Sequence, residues 1–397
     1  MERVTIMSSD INDARAYKRF SGAYRFFRPI ITPFIKLKFN YTFDPIKDVE
    51  GPFLLLINHN LNIDAVLAGI ACKSPIYFVA SEHLLRGGLG AKFVMRYFQP
   101  IIHTKGKTGV KTLSEMMKTL KAGKNVALFP EGNRSFNGLT CEIPENTGRV
   151  AKKSGASIIT YRMEGGYFTH PRWSVSVRRG KMHGKLVHVY SPGELEQMDD
   201  GAINAAIEKD LFEDAYDTQE RFMAKYKGKK LCLGLESTLF MCPECKAFSS
   251  LTSDENHLTC KACGFDAKYT EYGYLETKDS KKYTITEIDK EQRKLLEQLY
   301  NRAGEDEVLF EDDISVFTIN ENHVPVDEVK GHLTAYKSKV EFNGKTIPAE
   351  DIYGLSITSR NILGVHLDGG KRQMEIRCGI PFNGLKYVYL YKLNGKR

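Results

Sequence analysis

Short apolar runs bounded by turn residues alternate with stretches of helical spacing through the first 230 residues, and that alternation predicts an α/β arrangement. Phe53-Leu54-Leu55-Leu56-Ile57, entered through Gly51-Pro52, reads as a buried strand, and Ile63 to Cys72 as an amphipathic helix. Asn125-Val126-Ala127-Leu128-Phe129 predicts a second buried strand, Ala156 to Tyr161 a scaffold strand, and Gly201 to Lys227 a helical segment closing this part of the chain. After that the pattern changes. Ile288 to Arg302 reads as a charged helix acting as a spacer, and from Glu307 the chain breaks into short strands: 308–310, 314–317, 333–336, 339–342, 352–357 and 364–367. Asn343-Gly344 and Asp368-Gly369-Gly370 separate strands as hairpin turns do. A last apolar stretch, Leu385 to Leu393, predicts a closing helix.

Both buried strands run into residues that carry chemistry. Asn58-His59-Asn60-Leu61-Asn62-Ile63-Asp64 follows the first. Five positions on a regular helix turn about 500°, so His59 and Asp64 meet only if the histidine lies on the connecting turn and the aspartate in the first helical turn. There the positive helix end tolerates a carboxylate, which would fix the imidazole's tautomer and stabilise the imidazolium after it takes a proton. A histidine that merely bridges a loop would show the same spacing. Phe129-Pro130-Glu131-Gly132-Asn133-Arg134-Ser135 follows the other strand, placing Glu131 and Arg134 at a strand's carboxyl end, where open α/β sheets bind ligands. Gly132 permits an unusual backbone angle, and the Arg134 fork suits paired phosphate oxygens. Taken alone, Glu131 and Arg134 could also simply pair across the turn.

Together these two segments resemble the glycerolipid acyltransferase family, the lysophosphatidate acyltransferases, whose hallmark blocks are N-H-x4-D and F-P-E-G-x-R-S. The resemblance covers residues 15 to 230. It implies that His59 is the general base that deprotonates a glycerol hydroxyl, that Asp64 orients it, and that Glu131, Gly132, Asn133, Arg134 and Ser135 bind the phosphate-bearing acceptor. The implied reaction moves a fatty acyl group from acyl-CoA or acyl-carrier protein to the free hydroxyl of lysophosphatidate, giving phosphatidate, without an acyl-enzyme. Two other blocks depart from the family pattern. Where relatives carry an arginine, this chain offers Thr104 or Lys105, and where relatives often show a lysine before a glycine it reads Ile143-Pro144-Glu145-Asn146-Thr147-Gly148.

Composition fits a multidomain enzyme: 397 residues, 42% of them apolar, can bury a full core in the first half and leave room for more. Of the net charge of +8, much lies at the front, where residues 1–40 hold eight basic residues (Arg3, Arg15, Lys18, Arg19, Arg25, Arg28, Lys36, Lys38) against Glu2, Asp10 and Asp13. Tyr24, Phe26, Phe27, Ile30, Ile31, Phe34, Ile35, Leu37 and Phe39 are interleaved with them, a mix suited to the headgroup boundary of an anionic bilayer. Pro29 and Pro33 argue against one straight helix. Leu89, Phe93, Val94, Tyr97 and Phe98, with Lys92 and Arg96, read as a second membrane-facing patch or as part of an acyl tunnel. With no apolar run near 18 residues and no secretory pattern, the expectation is a peripheral protein on the cytoplasmic face of a membrane.

Four of the eight cysteines form Cys242-Pro243-Glu244-Cys245 and Cys260-Lys261-Ala262-Cys263. Two such knuckles predict a zinc ribbon, with four thiolates closing a structural Zn2+ site and Phe240, Phe248, Leu258 and Phe265 forming a small core. Disulfides are the alternative. Few lysines and no arginine-aromatic interleaving surround the knuckles, which argues against nucleic acid as a partner.

The expected fold class is therefore α/β: an open mixed sheet flanked by helices, then the ribbon, then a β-rich, barrel-like C-terminal domain with a resemblance to pleckstrin-homology and GRAM folds. Expected bounds are 1–40 for a membrane-interfacial segment, 41–232 for the catalytic domain, 238–275 for the ribbon, 286–303 for a linker helix and 305–397 for the β-rich domain. Two alternatives stand beside the phosphatidate-forming reaction: acylation of another lysophospholipid or of glycerol 3-phosphate, and a non-catalytic lipid-binding module with a partner-recruiting tail. A metal hydrolase built on His59, Asp64 and Glu131 is disfavoured, because Arg134 would repel the cation.

Overall fold

A computed structural model describes residues 13–47, 49, 51–82, 84, 88–103, 109–320, 324–379 and 382–395. Thr104 and Lys105, and the charged residues Glu2, Arg3 and Asp10, lie outside these. The chain forms two units. The first draws on residues 1–135, 140–167 and 180–218, and the second on 136–139, 168–179 and 219–397.

In the first unit, seven strands make one mixed sheet: β1 (Tyr41–Phe43), β2 (Phe53–Ile57), β3 (Ile76–Ser81), β4 (Ile101–His103), β5 (Asn125–Leu128), β6 (Ser157–Glu164) and β7 (Met182–Tyr190), in the order β1-β7-β6-β2-β5-β3-β4. Only β6 and β7 pair antiparallel. The helices are α1 (Ala14–Phe39), α2 (Asp64–Ala71), α3 (Gly88–Tyr97), α4 (Val110–Lys121), α5 (Thr147–Lys153), α6 (Gly166–Thr169), α7 (Pro192–Glu196), α8 (Asp200–Leu211) and α9 (Ala215–Phe222).

Every β2 side chain is buried, because each face of the sheet carries its own apolar layer. Phe53, Leu55 and Ile57 join one layer with Ile35, Phe39, Leu67 and Ile159, while Leu54 and Leu56 join the other with Phe20, Met116, Ile158 and Ile207. This is the two-residue alternation of a strand covered on both sides. The same covering explains α2, which was expected to be amphipathic but keeps only its second and third residues, Ala65 and Val66, out of the core.

One helix, α1, runs continuously through Pro29 and Pro33, the two residues expected to keep it from being straight. Both prolines lie on its exposed face together with Arg25, so the carbonyls that lose their helical donors, those of Arg25 and Pro29, are on the solvent side. Tyr24 ties the opposite face to α2, donating to the Gly69 carbonyl at 2.6 Å. The helical segment expected at 201–227 is interrupted at 212–214, between α8 and α9.

The second unit opens with a small antiparallel sheet, β8 (Leu251–Ser253), β9 (His257–Cys260), β10 (Asp266–Tyr269), β11 (Leu275–Thr277) and β12 (Lys282–Tyr283), ordered β12-β11-β10-β9-β8. Next comes α10 (Ile285–Arg302), started by a capping box between Thr284 and Glu287. Far from acting as a spacer, α10 buries Ile285, Ile288, Gln292 and Leu296. The strands β13 (Phe310–Ile319), β14 (Pro325–Ala335), β15 (Lys339–Phe342), β16 (Lys345–Pro348), β17 (Ile352–Thr358), β18 (Ile362–Leu367) and β19 (Arg372–Ile376) form an antiparallel sheet ordered β16-β15-β14-β13-β19-β18-β17, and α11 (Gly384–Leu393) follows.

The expected strand 314–317 lies within β13, the expected strand 308–310 contributes only Phe310 to it, and β16 and β19 were not anticipated. Asn343-Gly344 forms a two-residue hairpin turn with both residues at positive φ. Phe240 and Phe248 of the expected ribbon core, with Met241, share one apolar cluster with Leu296, Phe310, Val316, Leu363 and Leu385, whereas Leu258 and Phe265 are buried outside that cluster.

Candidate active site and candidate metal centre

Strands β2 and β5 are parallel neighbours, so both motifs leave the sheet at the same edge. Their register pairs Leu54 with Val126 and Leu56 with Leu128, an offset of 72 positions. The next contact keeps that offset: the backbone N–H of His59 donates to Glu131 Oε1 at 2.6 Å. Past the last ladder bond, a side chain thus extends the pairing. The second Glu131 oxygen accepts from the Cys141 N–H, and the Ser135 N–H donates to the His59 carbonyl at 3.0 Å. Gly132, at φ +63°, makes the turn that lets the segment double back, its N–H reaching the Phe129 carbonyl at 3.2 Å.

Asp64 is fully buried as the first residue of α2. One of its oxygens, Oδ2, accepts from His59 Nδ1 at 2.9 Å, Asn60 N at 2.7 Å and Leu61 N at 2.8 Å. The carboxylate therefore shapes the turn and at the same time takes the Nδ1 proton of the imidazole, which leaves Nε2 as the basic nitrogen. Phe129 stacks on the His59 ring at 4.5 Å and 28°, with Phe78 behind it, and the His59 side chain stays 24% exposed. The geometry is a stacked imidazole aimed outward, with a buried anion behind one nitrogen.

Burial pushes the Glu131 carboxyl up to about 8, against the two amides that pull it down. Arg134 is 8% exposed; burial lowers its pKa and the Asp64 charge opposes that shift. Ser135 is buried, Asn133 half-buried and Gly132 exposed.

Asn58 and Asn60, quoted in the motif but given no part in the sequence reading, are gripped from behind. Asn58 Oδ1 accepts from Met163 N at 2.6 Å, and both asparagine amides donate to the Met163 carbonyl, at 3.1 and 3.0 Å. The same two amides donate to Glu213 Oε2, at 3.3 Å from Asn58 and 2.7 Å from Asn60. Glu213 was not foreseen: a single glutamate after a helix, 153 positions from Asn60, carries no signal in the sequence.

The four predicted cysteine ligands come together in the second unit, with all their sulfurs within 4.8 Å of one another. Cys242 and Cys263 Sγ are 3.8 Å apart, as are those of Cys245 and Cys260. Sulfurs placed tetrahedrally at about 2.3 Å from one ion are about 3.8 Å apart, so the group could hold a four-coordinate metal ion; a disulfide would need about 2.05 Å. Cys242 and Cys260 are buried, Cys245 and Cys263 exposed.

On α1, Phe26, Ile30, Phe34 and Leu37 are 56–74% exposed at spacings of four, four and three, one stripe along the helix. Leu89 and Phe93 of α3 are exposed as well, and Phe93 also packs on Phe27 at 5.7 Å. Among the described residues, no helix is long and apolar enough to cross a membrane.

Residues 38–164 match the family model described as Acyltransferase. A solved structure, the 1-acyl-sn-glycerophosphate (LPA) acyltransferase PlsC from Thermotoga maritima, is similar at 20% identity, covering 52% of this chain and 91% of that one with a TM-score of 0.40.

Proposed function

We propose that the first unit, whose residues 38–164 match the Acyltransferase family model, is a glycerolipid acyltransferase that transfers a fatty acyl group from acyl-CoA or acyl-carrier protein to the free hydroxyl of lysophosphatidate. The observation that carries this reading is the oriented base: His59 Nδ1 on the buried Asp64, with the Phe129–Ser135 turn fastened to the same residue. A module that only binds lipid has no need of such a pair. His59 Nε2 takes the proton of the acceptor hydroxyl as its oxygen attacks the thioester carbonyl. The C–S bond then breaks, and the imidazolium returns the proton to the departing thiolate, so ester and free thiol are formed without a covalent enzyme intermediate. Arg134, with Gly132, Asn133 and Ser135, receives the acceptor phosphate. Glu131 acts from behind, its two oxygens joining the histidine turn to the loop at Cys141.

Around this reaction, Cys242, Cys245, Cys260 and Cys263 hold a structural zinc ion, and the exposed α1 stripe with its lysines and arginines rests on the cytoplasmic face of a membrane, where acceptor and product reside. The test is thiol release from palmitoyl-CoA with lysophosphatidate, glycerol 3-phosphate or other lysophospholipids as acceptor, repeated with acyl-carrier protein as donor. Release that needs both an acceptor and His59 is expected. Silence with every pair, or full activity in His59→Ala, overturns the reading.

A further inference from the structure

Successive side chains of an extended segment point to opposite sides, so residues on either side of His59 face away from it. Asn58 and Asn60 are buried and His59 is part-exposed, as that geometry requires. A carboxylate that grips both flanking side chains fixes the rotation of the segment about its own axis, and with it the direction of the histidine between them.

We propose that Glu213 is a positioning residue for the transfer step, holding the Asn58-His59-Asn60 turn so that His59 Nε2 meets the acceptor hydroxyl; this rests on the acyl-transfer reading above. Oε2 takes the Asn58 and Asn60 amides, and Oε1 takes the Gly165 N–H at 2.9 Å at the exit of β6. Three N–H donors on one carboxylate are more than a glutamine could satisfy, since it offers one oxygen. Glu213 is itself held: its N–H donates to Thr140 Oγ1 at 2.8 Å, and its carbonyl accepts from Thr140 N at 3.1 Å.

The other side of the turn is closed by Gly166, where an added Cβ would stand 2.9 Å from both Asn60 Cβ and Leu61 Cδ1. Arg162, whose charge favours the Glu213 anion, is itself paired with Glu164 at 3.4 Å and donates to the Phe212 carbonyl at 3.1 Å. Burial pushes the Glu213 carboxyl up to about 8, against the Gly165 and Asn60 donors that pull it down. Glu213 also stands outside the 38–164 match, so the family model makes no assignment there.

The experiment uses the full chain and the thiol-release assay, with Glu213→Gln made alone and in the His59→Ala background. Expected is a fall in kcat on the order of 10²-fold with both KM values within about twofold of wild type, because misaligning a base costs rate rather than ground-state binding. In the His59→Ala background the same substitution should leave the residual rate unchanged, since no base remains to be aimed. A kcat within about twofold of wild type, or an undiminished loss without His59, overturns the proposal. Should Glu213→Gln fail to fold, Asn60→Ala leaves the carboxylate with two donors and carries the same expectations. An inactive wild type removes the acyl-transfer reading and this inference with it, an outcome distinct from an active enzyme indifferent to residue 213.

Discussion

The sharpest perturbation is Asp64→Asn, because all three hydrogen bonds from the turn converge on one oxygen. An asparagine with its oxygen at the Oδ2 position keeps every acceptor and places its amide at Oδ1, which has no hydrogen-bond partner among the described residues. The turn and the imidazole tautomer are thus retained and the negative charge disappears, at the cost of one buried amide without an acceptor, about 1–3 kcal/mol of stability. Two unit charges about 4 Å apart attract by about 4 kcal/mol at an effective dielectric of about 20. His59 is 24% exposed, so solvent screens part of that attraction. About half of it, roughly 2 kcal/mol, is lost from the imidazolium-bearing transition state, which corresponds to a fall in kcat of about 30-fold.

Asp64→Ala removes the acceptor as well, stranding two buried amides at about 1–3 kcal/mol each, and should lower stability by several kcal/mol in addition to abolishing turnover. Steady-state thiol release gives the first number, and thermal unfolding of the same preparations gives the second. Half or more of wild-type kcat in Asp64→Asn would refute the electrostatic role. Unfolding of Asp64→Asn as severe as that of Asp64→Ala would refute the single-oxygen geometry.

Four further outcomes are expected. The Glu131 carboxyl, raised from its ordinary range to about 8, keeps its proton in the folded chain where the unfolded chain has lost it, so its contribution to stability is full at pH below about 4.5 and falls as pH rises through about 8; denaturant unfolding across that window should show a shallower pH dependence for Glu131→Gln, and an unaltered slope would contradict it. Gly148→Ala brings a Cβ to 2.2 Å from the Asp200 carbonyl and 2.6 Å from Asn204 N, forcing α5 and α8 apart at about 1–3 kcal/mol, which calorimetry would read as a lower melting temperature. Cys260→Ser should lose bound zinc by elemental analysis and lower the melting temperature of the chain, whereas equal melting with and without metal would make the ion incidental. Replacing Phe26, Ile30, Phe34 and Leu37 by serine should cut sedimentation with anionic vesicles at least tenfold while leaving circular dichroism unchanged, since each side chain contributes about 1.5–3 kcal/mol when buried in an apolar phase.

Local patterns reported local structure well. The five-residue apolar run became β2, Asn343-Gly344 became a hairpin turn, and the His59/Asp64 spacing resolved into a strand-exit turn and a helix start, each decided within a few residues of backbone. What stayed hidden depends on distant partners. Pro29 and Pro33 were read by their intrinsic preference, but α1 survives them because packing of Phe20, Tyr24, Ile35 and Phe39 outweighs two missing hydrogen bonds. The α10 helix looked like a free spacer because its charged positions dominate the count, although Ile285, Ile288 and Leu296 line one buried side. The bonds of Glu131 depend on such partners too: strand register brings the His59 amide to one oxygen, and the loop's return brings the Cys141 amide to the other. Glu213 is the extreme case, legible only once β6 and the end of α8 are folded beside the motif.

In the β-rich sheet, the first strand, β13, pairs with the last, β19, and both lie near the middle while β16 and β17 form the margins. A chain emerging from the ribosome can therefore zip β13 to β16 and β17 to β18, but it holds two open central edges until residue 376 has been made. A stop codon or proteolytic cut a little before Arg372 would not trim this sheet; it would split it into two ribbons with bare, pairing-competent flanks prone to aggregation. The β19 segment thus acts as a quality gate, and loss of the residues from Arg372 on should appear in cells as degradation of the chain.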